Sequence, residues 1–203
     1  MSALGKVCTG FSKPYVALYS ASQGVVTYSD GQLLARGVEV SIEPESSDPS
    51  NFYADNIIAE TVGGTFNGGT ATLTVDGLLQ DAEILVAGLP TVDADGFANY
   101  GKDQAAPFVG LGFVVRYLSG GTTYYTPVIL TKAVLNPQSL SAATQGESIE
   151  FQTQELSFAL SRDDTDDANW KKVGGELADE ATAAAAIEAF FNISGGGQTN
   201  ITP

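Results

Sequence analysis

The sequence predicts a mainly β domain, a sandwich or barrel-like sheet with one flanking helix in mid-chain and another near the C-terminus. Three observations predict it. Apolar and polar residues alternate in several runs, as a half-buried strand requires. Glycine is abundant, at 23 of 203 residues, which favours turns and bulges over long helices. Only two segments carry helical spacing. With 43% hydrophobic and 16% charged residues, the chain can bury one core. A single domain over 1–193 and a flexible Gly-rich tail over 194–203 are expected.

The elements follow in order. Residues 15–20, YVALYS, read as a short strand, and Ser29–Gln32 as a turn in which Gly31 can take positive φ. Over 33–45, Val38, Val40 and Ile42 face one way and Glu39, Ser41 and Glu43 the other, and Pro44 ends the strand. Residues 46–56 are rich in turn formers. Ala71, Leu73 and Val75 then alternate with Thr70, Thr72, Thr74 and Asp76, and threonine suits a pleated surface. Leu78, Ala82, Leu85 and Leu89 predict a helix over 78–89, and 90–106 shows no periodicity and reads as a long loop. Two β-branched and aromatic runs flank Ser119-Gly120-Gly121, a hairpin whose Pro127 belongs at an edge or a bulge.

Residues 147–160 read as one strand with a change of face. Ile149, Phe151 and Thr153 are apolar or small at odd positions, between Glu150, Gln152 and Gln154; then Leu156, Phe158 and Leu160 take the even ones. A β-bulge near Gln154-Glu155 produces such a flip, and two strands meeting at a corner do so as well. The bulge is preferred. Asp163–Trp170 is an acidic turn. Asp179 can cap a last helix with a stripe of Ala183, Ala184, Ile187 and Phe191; Ala181 is assigned to the same packed side.

Composition excludes several functions. Acids outnumber bases 24 to 9, a net charge of −15, which repels nucleic acid and anionic membranes. One cysteine, Cys8, allows no disulfide within the chain, and with no histidine the usual zinc sites and imidazole-based triads are ruled out. The N-terminal stretch lacks the apolar run of a signal peptide, and no segment approaches the ~18 apolar residues of a membrane span. Asp163, Asp164, Asp166 and Asp167 lack the ligand spacing of a calcium loop and fit a solvated turn better. Asp93, Asp95 and Asp103 are polar-loop residues of the same kind, and Gly63-Gly64 with Gly68-Gly69 lack the Lys-Ser/Thr pair of a phosphate loop. No catalytic, cofactor or metal residue is assigned, and no enzyme is expected.

From about Leu33 to Phe191 the order of motifs resembles the major tail tube proteins of long non-contractile-tailed bacteriophages, the phi13-type major tail protein family. Its carriers are LLARGVEVSIEPE, YADN at 53–56, GTATLTVDGL running into a helix, the FVVRYLSGGTTYYTPVILTKAVL hairpin, GESIEFQT at 146–153, and a Trp170 turn before an Ala-rich helix. The resemblance implies a virion structural protein, made in the bacterial host cytoplasm, that stacks as hexameric rings into a tube for DNA ejection. Its implied partners are further copies of itself, a tape-measure protein, a tail terminator and tail-tip proteins, with DNA passing through unbound. In such a ring the polar faces would line the lumen: Glu39, Ser41, Glu43, Thr70, Thr72, Thr74, Asp76, Glu150, Gln152 and Gln154. In an isolated sandwich they would be solvated surface. Residues 44–69 would form an arm to neighbouring subunits, with Phe52, Tyr53, Ile57, Ile58 and Phe66 as its contacts. The alternative is an adhesion or carbohydrate-binding module that uses Phe97 and Tyr100 in the long loop.

Overall fold

The computed structural model describes residues 5–90, 92–102, 104–139, 144 and 152–193. Among these residues, ten strands and two helices run in the order β1 (Val7–Ser22), β2 (Val25–Leu33), β3 (Gly37–Ser46), β4 (Ser50–Ala54), β5 (Ile57–Val62), β6 (Phe66–Val75), α1 (Gln80–Ala87), β7 (Phe108–Ser119), β8 (Thr122–Leu135), β9 (Gln154–Ser161), β10 (Lys171–Val173) and α2 (Glu180–Phe190). The fold is mainly β and antiparallel, with a flanking and a C-terminal helix. Neither helix is long and apolar enough to cross a membrane.

One sheet has the order β2-β1-β7-β8-β9-β6-β3, with β10 pairing beside β8; among the described residues, β4 and β5 pair only with each other. The end strands β2 and β3 are consecutive in the chain, so the three residues between them draw the sheet edges together. The Leu34 amide donates to the Pro14 carbonyl at 2.8 Å, and β3 packs alongside β1. The sheet therefore curls around an inner core of Val16, Leu73, Leu111, Phe113, Leu130 and Phe158, with Ala82 and Val86 of α1 packed into it. A second core lies on the opposite side of β1, β7 and β8, where Ala183, Ala184, Ile187 and Phe191 of α2 meet Tyr15, Ala17, Val114 and Ile129.

Strand β7 is consequently buried on both faces. Its inner row is Val109, Leu111, Phe113 and Val115; its outer row begins Gly110, Gly112. A Cβ on Gly112 would lie 2.5 Å from Ile187 Cγ2 and 2.8 Å from Phe191 Cε2, and one on Gly110 would lie 2.6 Å from the rings of Phe191 and Tyr28. The two glycines are the floor on which α2 rests. Asp179 caps that helix through Thr182 N at 2.7 Å and Thr182 Oγ1 at 2.8 Å. These bonds, the backbone one foremost, hold its carboxyl below the usual range.

Several expectations need correction. The first third of the chain holds two long strands turning at Gln23-Gly24, both at positive φ. Ser29–Gln32 is no turn: it lies within β2, where the register shifts and Asp30, not Gly31, takes positive φ. Pro44 does not end β3, which runs on to Ser46; proline is tolerated because β3 is an edge strand. A bulge between Gly37 and Glu39 turns Val38 outward, 56% exposed, instead of in line with Val40 and Ile42. Ala181 is exposed and does not belong to the packed side, which Ala183, Ala184, Ile187 and Phe191 form as expected. Strand β9 starts at Gln154 and pairs with β6 without interruption from Gln154↔Val75 to Leu160↔Gly69. There is no bulge at Gln154-Glu155. The face change marks the start of the strand, Gln152 and Thr153 lie outside it, and 145–151 are outside the described residues.

Pro127 is at neither a free edge nor a bulge: β8 is an interior strand, Pro127 lies opposite Val114 of β7, and β10 ends beside it on the other side. Its carbonyl accepts from Gly174 N at 2.8 Å, so its nitrogen faces the same side, just past the end of β10, where the ladder asks for no donor.

Candidate assembly site

Two surfaces of the described residues carry the expected site residues. The first is the outer face of β3, β6 and β9. Register places Glu39 opposite Thr74, Ser41 opposite Thr72 and Glu43 opposite Thr70. Across the next ladder Thr74 meets Glu155, Thr72 meets Ser157 and Thr70 meets Ala159. Directly opposed residues share a face, so these rows form one panel three strands wide. The other face of the same strands carries Leu73, Leu156 and Phe158 into the inner core. Helix α2 packs over β1, β7 and β8 and leaves this panel open. Glu39, Glu43 and Glu155 are exposed, and none is in an ion pair among the described residues.

Six of the ten residues expected on this face lie on it: Glu39, Ser41, Glu43, Thr70, Thr72 and Thr74. Asp76 sits just past the end of β6 with its carboxylate taken: Oδ1 accepts from Arg36 N at 3.0 Å, and Oδ2 pairs with the Arg36 guanidinium. It ties β6 to the start of β3. Gln154 belongs to the opposite, core-side row beside Val75, where its side chain accepts from Leu78 N and donates to Gln138 Oε1. Gln152 is exposed but outside the sheet, and Glu150 is outside the described residues. Glu155 and Ser157 were missed. The even-numbered apolar residues Leu156, Phe158 and Leu160 carried the signal for them, because the intervening odd positions must face outward.

The second surface is an arm. Strands β4 and β5 form a hairpin whose turn, Asp55-Asn56, has φ of 50° and 62° at its two central residues. Both positive values match the right-handed twist of the strands, and Asp and Asn tolerate them. Every residue of both strands is exposed. Phe52, Tyr53, Ile57, Ile58 and Val62 are each more than half exposed. At the root, Ser47 N donates to the Thr65 carbonyl and Thr65 N to Ser47 Oγ. Thus the free arm spans 48–64 and is shorter than the expected 44–69. Phe66 is not an arm residue. It is half-buried in β6 and stacked on Trp170, ring centroids 4.4 Å apart and planes 5° from parallel, while Arg162 Nη2 donates to its carbonyl at 3.0 Å.

The long loop is held by its own acids. Asp93 Oδ1 accepts from the amides of Asp95 and Phe97, and Oδ2 from Asn99 Nδ2. The Asn99 contact is the main reason this carboxyl sits below the usual range. The Tyr100 hydroxyl donates to Glu83 Oε1 at 2.6 Å. Phe97 and the Tyr100 ring are exposed, and neither lines the two shallow hollows found elsewhere on the surface. The acidic turn is similarly self-contained. Asp163, buried, accepts through Oδ1 from Thr165 N, Thr165 Oγ1 and Asn169 N, and Asp164 joins the Tyr19 hydroxyl and the Lys132 ammonium. These carboxylates organise loops.

No protein-family model matches the chain, and no curated protein matches it.

Proposed function

We propose that the chain is a self-assembling structural protein, the unit of a bacteriophage tail tube built from stacked rings. One observation carries the reading: an arm of exposed apolar residues projects from a body whose two cores are otherwise complete. A two-stranded hairpin is marginal in water by itself, and five large apolar side chains on it favour burial against another surface. The open panel supports a tube in particular. It is polar and acidic, and it belongs to the strands at the β3 border of the sheet. Carboxylates and hydroxyls on a channel wall repel or ignore phosphate, so DNA slides without adhering. The order of motifs from Leu33 to Phe191 agrees with that reading.

Negative-stain electron microscopy of the purified protein as concentration is raised tests it. Hollow tubes or rings are expected. A chain that stays monomeric at every concentration, with or without salt, would sink the proposal. Affinity for immobilised glycans, lost in Phe97→Ala and Tyr100→Ala, would instead favour an adhesion module.

A further inference from the structure

The joint between arm and body carries the chain's one Asn-Gly dipeptide, Asn67-Gly68. Every other asparagine precedes Phe, Ile, Tyr, Trp or Pro. The difference is chemical. The backbone nitrogen that follows an asparagine can attack the carbonyl carbon of its side chain. A side chain on the attacking residue crowds that approach, proline has no N–H to give up, and glycine has neither handicap.

The fold leaves this dipeptide loosely held. Ser46 of β3 pairs with Phe66 of β6 and Glu45 pairs with Gly68, so Asn67 is the extra residue of a bulge and has no ladder partner among the described residues. On the other side of β6, pairing with β9 begins only at Gly69. Asn67 is exposed to water. Gly68 takes a φ of 146°, and a Cβ there would meet nothing closer than the Leu160 carbonyl oxygen at 3.6 Å, so its surroundings are open. The Arg162 guanidinium donates to the Phe66 carbonyl from Nε at 3.3 Å and from Nη2 at 3.0 Å. A fixed cation one peptide away favours the nitrogen anion from which the attack starts.

We propose that Asn67-Gly68 is a self-modification site that converts Asn67 to aspartate or isoaspartate, with water as the only co-reactant. Gly68 N bonds to Asn67 Cγ, the Cγ–Nδ2 bond breaks, and the amide nitrogen leaves as ammonia with the proton from Gly68 N. The resulting succinimide ring adds water. Opening at Cγ leaves aspartate. Opening at the Asn67 main-chain carbonyl leaves isoaspartate, whose chain runs through Cβ and Cγ and is one atom longer. Nothing is oxidised or reduced. Either product places a new carboxylate one residue from the carbonyl that Arg162 holds. Isoaspartate also lengthens β6 directly beyond Phe66, which stacks on Trp170, and so resets the joint that carries the arm. This chemistry does not depend on what the arm binds.

The test holds the full chain at mildly alkaline pH, folded in buffer and, in parallel, unfolded in urea. Peptide mass mapping follows the exchange of NH2 for OH at each asparagine, and a carboxyl methyltransferase specific for isoaspartate counts that product. In the folded sample Asn67 should convert many-fold faster than any other asparagine, and within a few-fold of its own rate in urea. Asn67→Gln, which would have to close a six-membered ring, should block conversion at this position and leave the circular dichroism unchanged. Emission from Trp170, the one tryptophan, should shift as the parent chain converts and stay constant in Asn67→Gln. Conversion of Asn67 in urea but not in the folded chain would show that the sheet locks the dipeptide, and overturns the site. Isoaspartate at 67 with unchanged Trp170 emission overturns the reset of the joint.

Discussion

At the residue scale, position in the curled sheet decides what each side chain is worth. Phe191 is fully buried between Gly110, Gly112 and Tyr28. Phe191→Ala should therefore cost roughly 3–5 kcal/mol. Denaturant unfolding measures it, and an unchanged midpoint would place the ring in solvent. Gly112→Val separates packing from propensity. Valine favours strands, yet its Cβ would strike Ile187 and Phe191. A loss of about 1–3 kcal/mol is expected, and a gain would show that α2 does not rest on this strand. The tyrosines set the alkaline limit. Burial first, then the bond to Asp164, pushes Tyr19 up to about 12; burial and then Glu83 push Tyr100 up to about 12; burial also raises Tyr15 and Tyr28. An unfolded tyrosine ionises near ~10. The folded state thus retains protons the unfolded chain has lost, so this contribution is full below about 10 and is lost as pH climbs toward 12. Ultraviolet titration should show Tyr15, Tyr19, Tyr28 and Tyr100 ionising late, together with unfolding. Ionisation of these four near ~10 in a folded protein would contradict these environments.

At the element scale the arm separates cleanly from the body. Its root is held by the Ser47–Thr65 backbone bond, and Phe66 beyond it belongs to the Trp170 stack. Replacing 48–64 with a short glycine link should leave the melting temperature within a few degrees of the parent and abolish assembly, read by light scattering and microscopy. Phe66→Ala should do the reverse: stability falls by about 1–2 kcal/mol as partly buried ring area is lost, with the arm still present. An arm-less chain that still assembles would remove the arm from the interface.

At the scale of the whole molecule, the chain presents the exposed carboxylates Glu39, Glu43, Glu45 and Glu155 on the panel, and stacked rings, if it forms them, would multiply these into a continuous wall. Glu39, Glu43 and Glu155 replaced together by Lys should leave tubes intact, slow DNA ejection, and lose that defect as salt screens the new attraction. Fluorescence of a DNA dye during triggered ejection follows it. A normal rate, or a failure to form tubes, would move the panel away from the channel.

Short-range sequence carries the local features: the β class, both helices and the Asp179 cap, the Gly120-Gly121 hairpin, and the polar rows Glu39–Glu43 and Thr70–Thr74. Each depends on neighbours a few residues apart, and periodicity and turn chemistry record those. Tertiary structure alone decided the rest. The face of Gln154 follows from its pairing with Val75, Asp76 is claimed by Arg36 forty residues away, and Phe66 is drawn from the arm by Trp170. The bulge at Val38 and the path of β3 through Pro44 depend on which edge of the sheet remains unpaired. Alternation specifies that a strand has two faces; the long-range ladder decides which face meets the core, because a shift of one residue exchanges them.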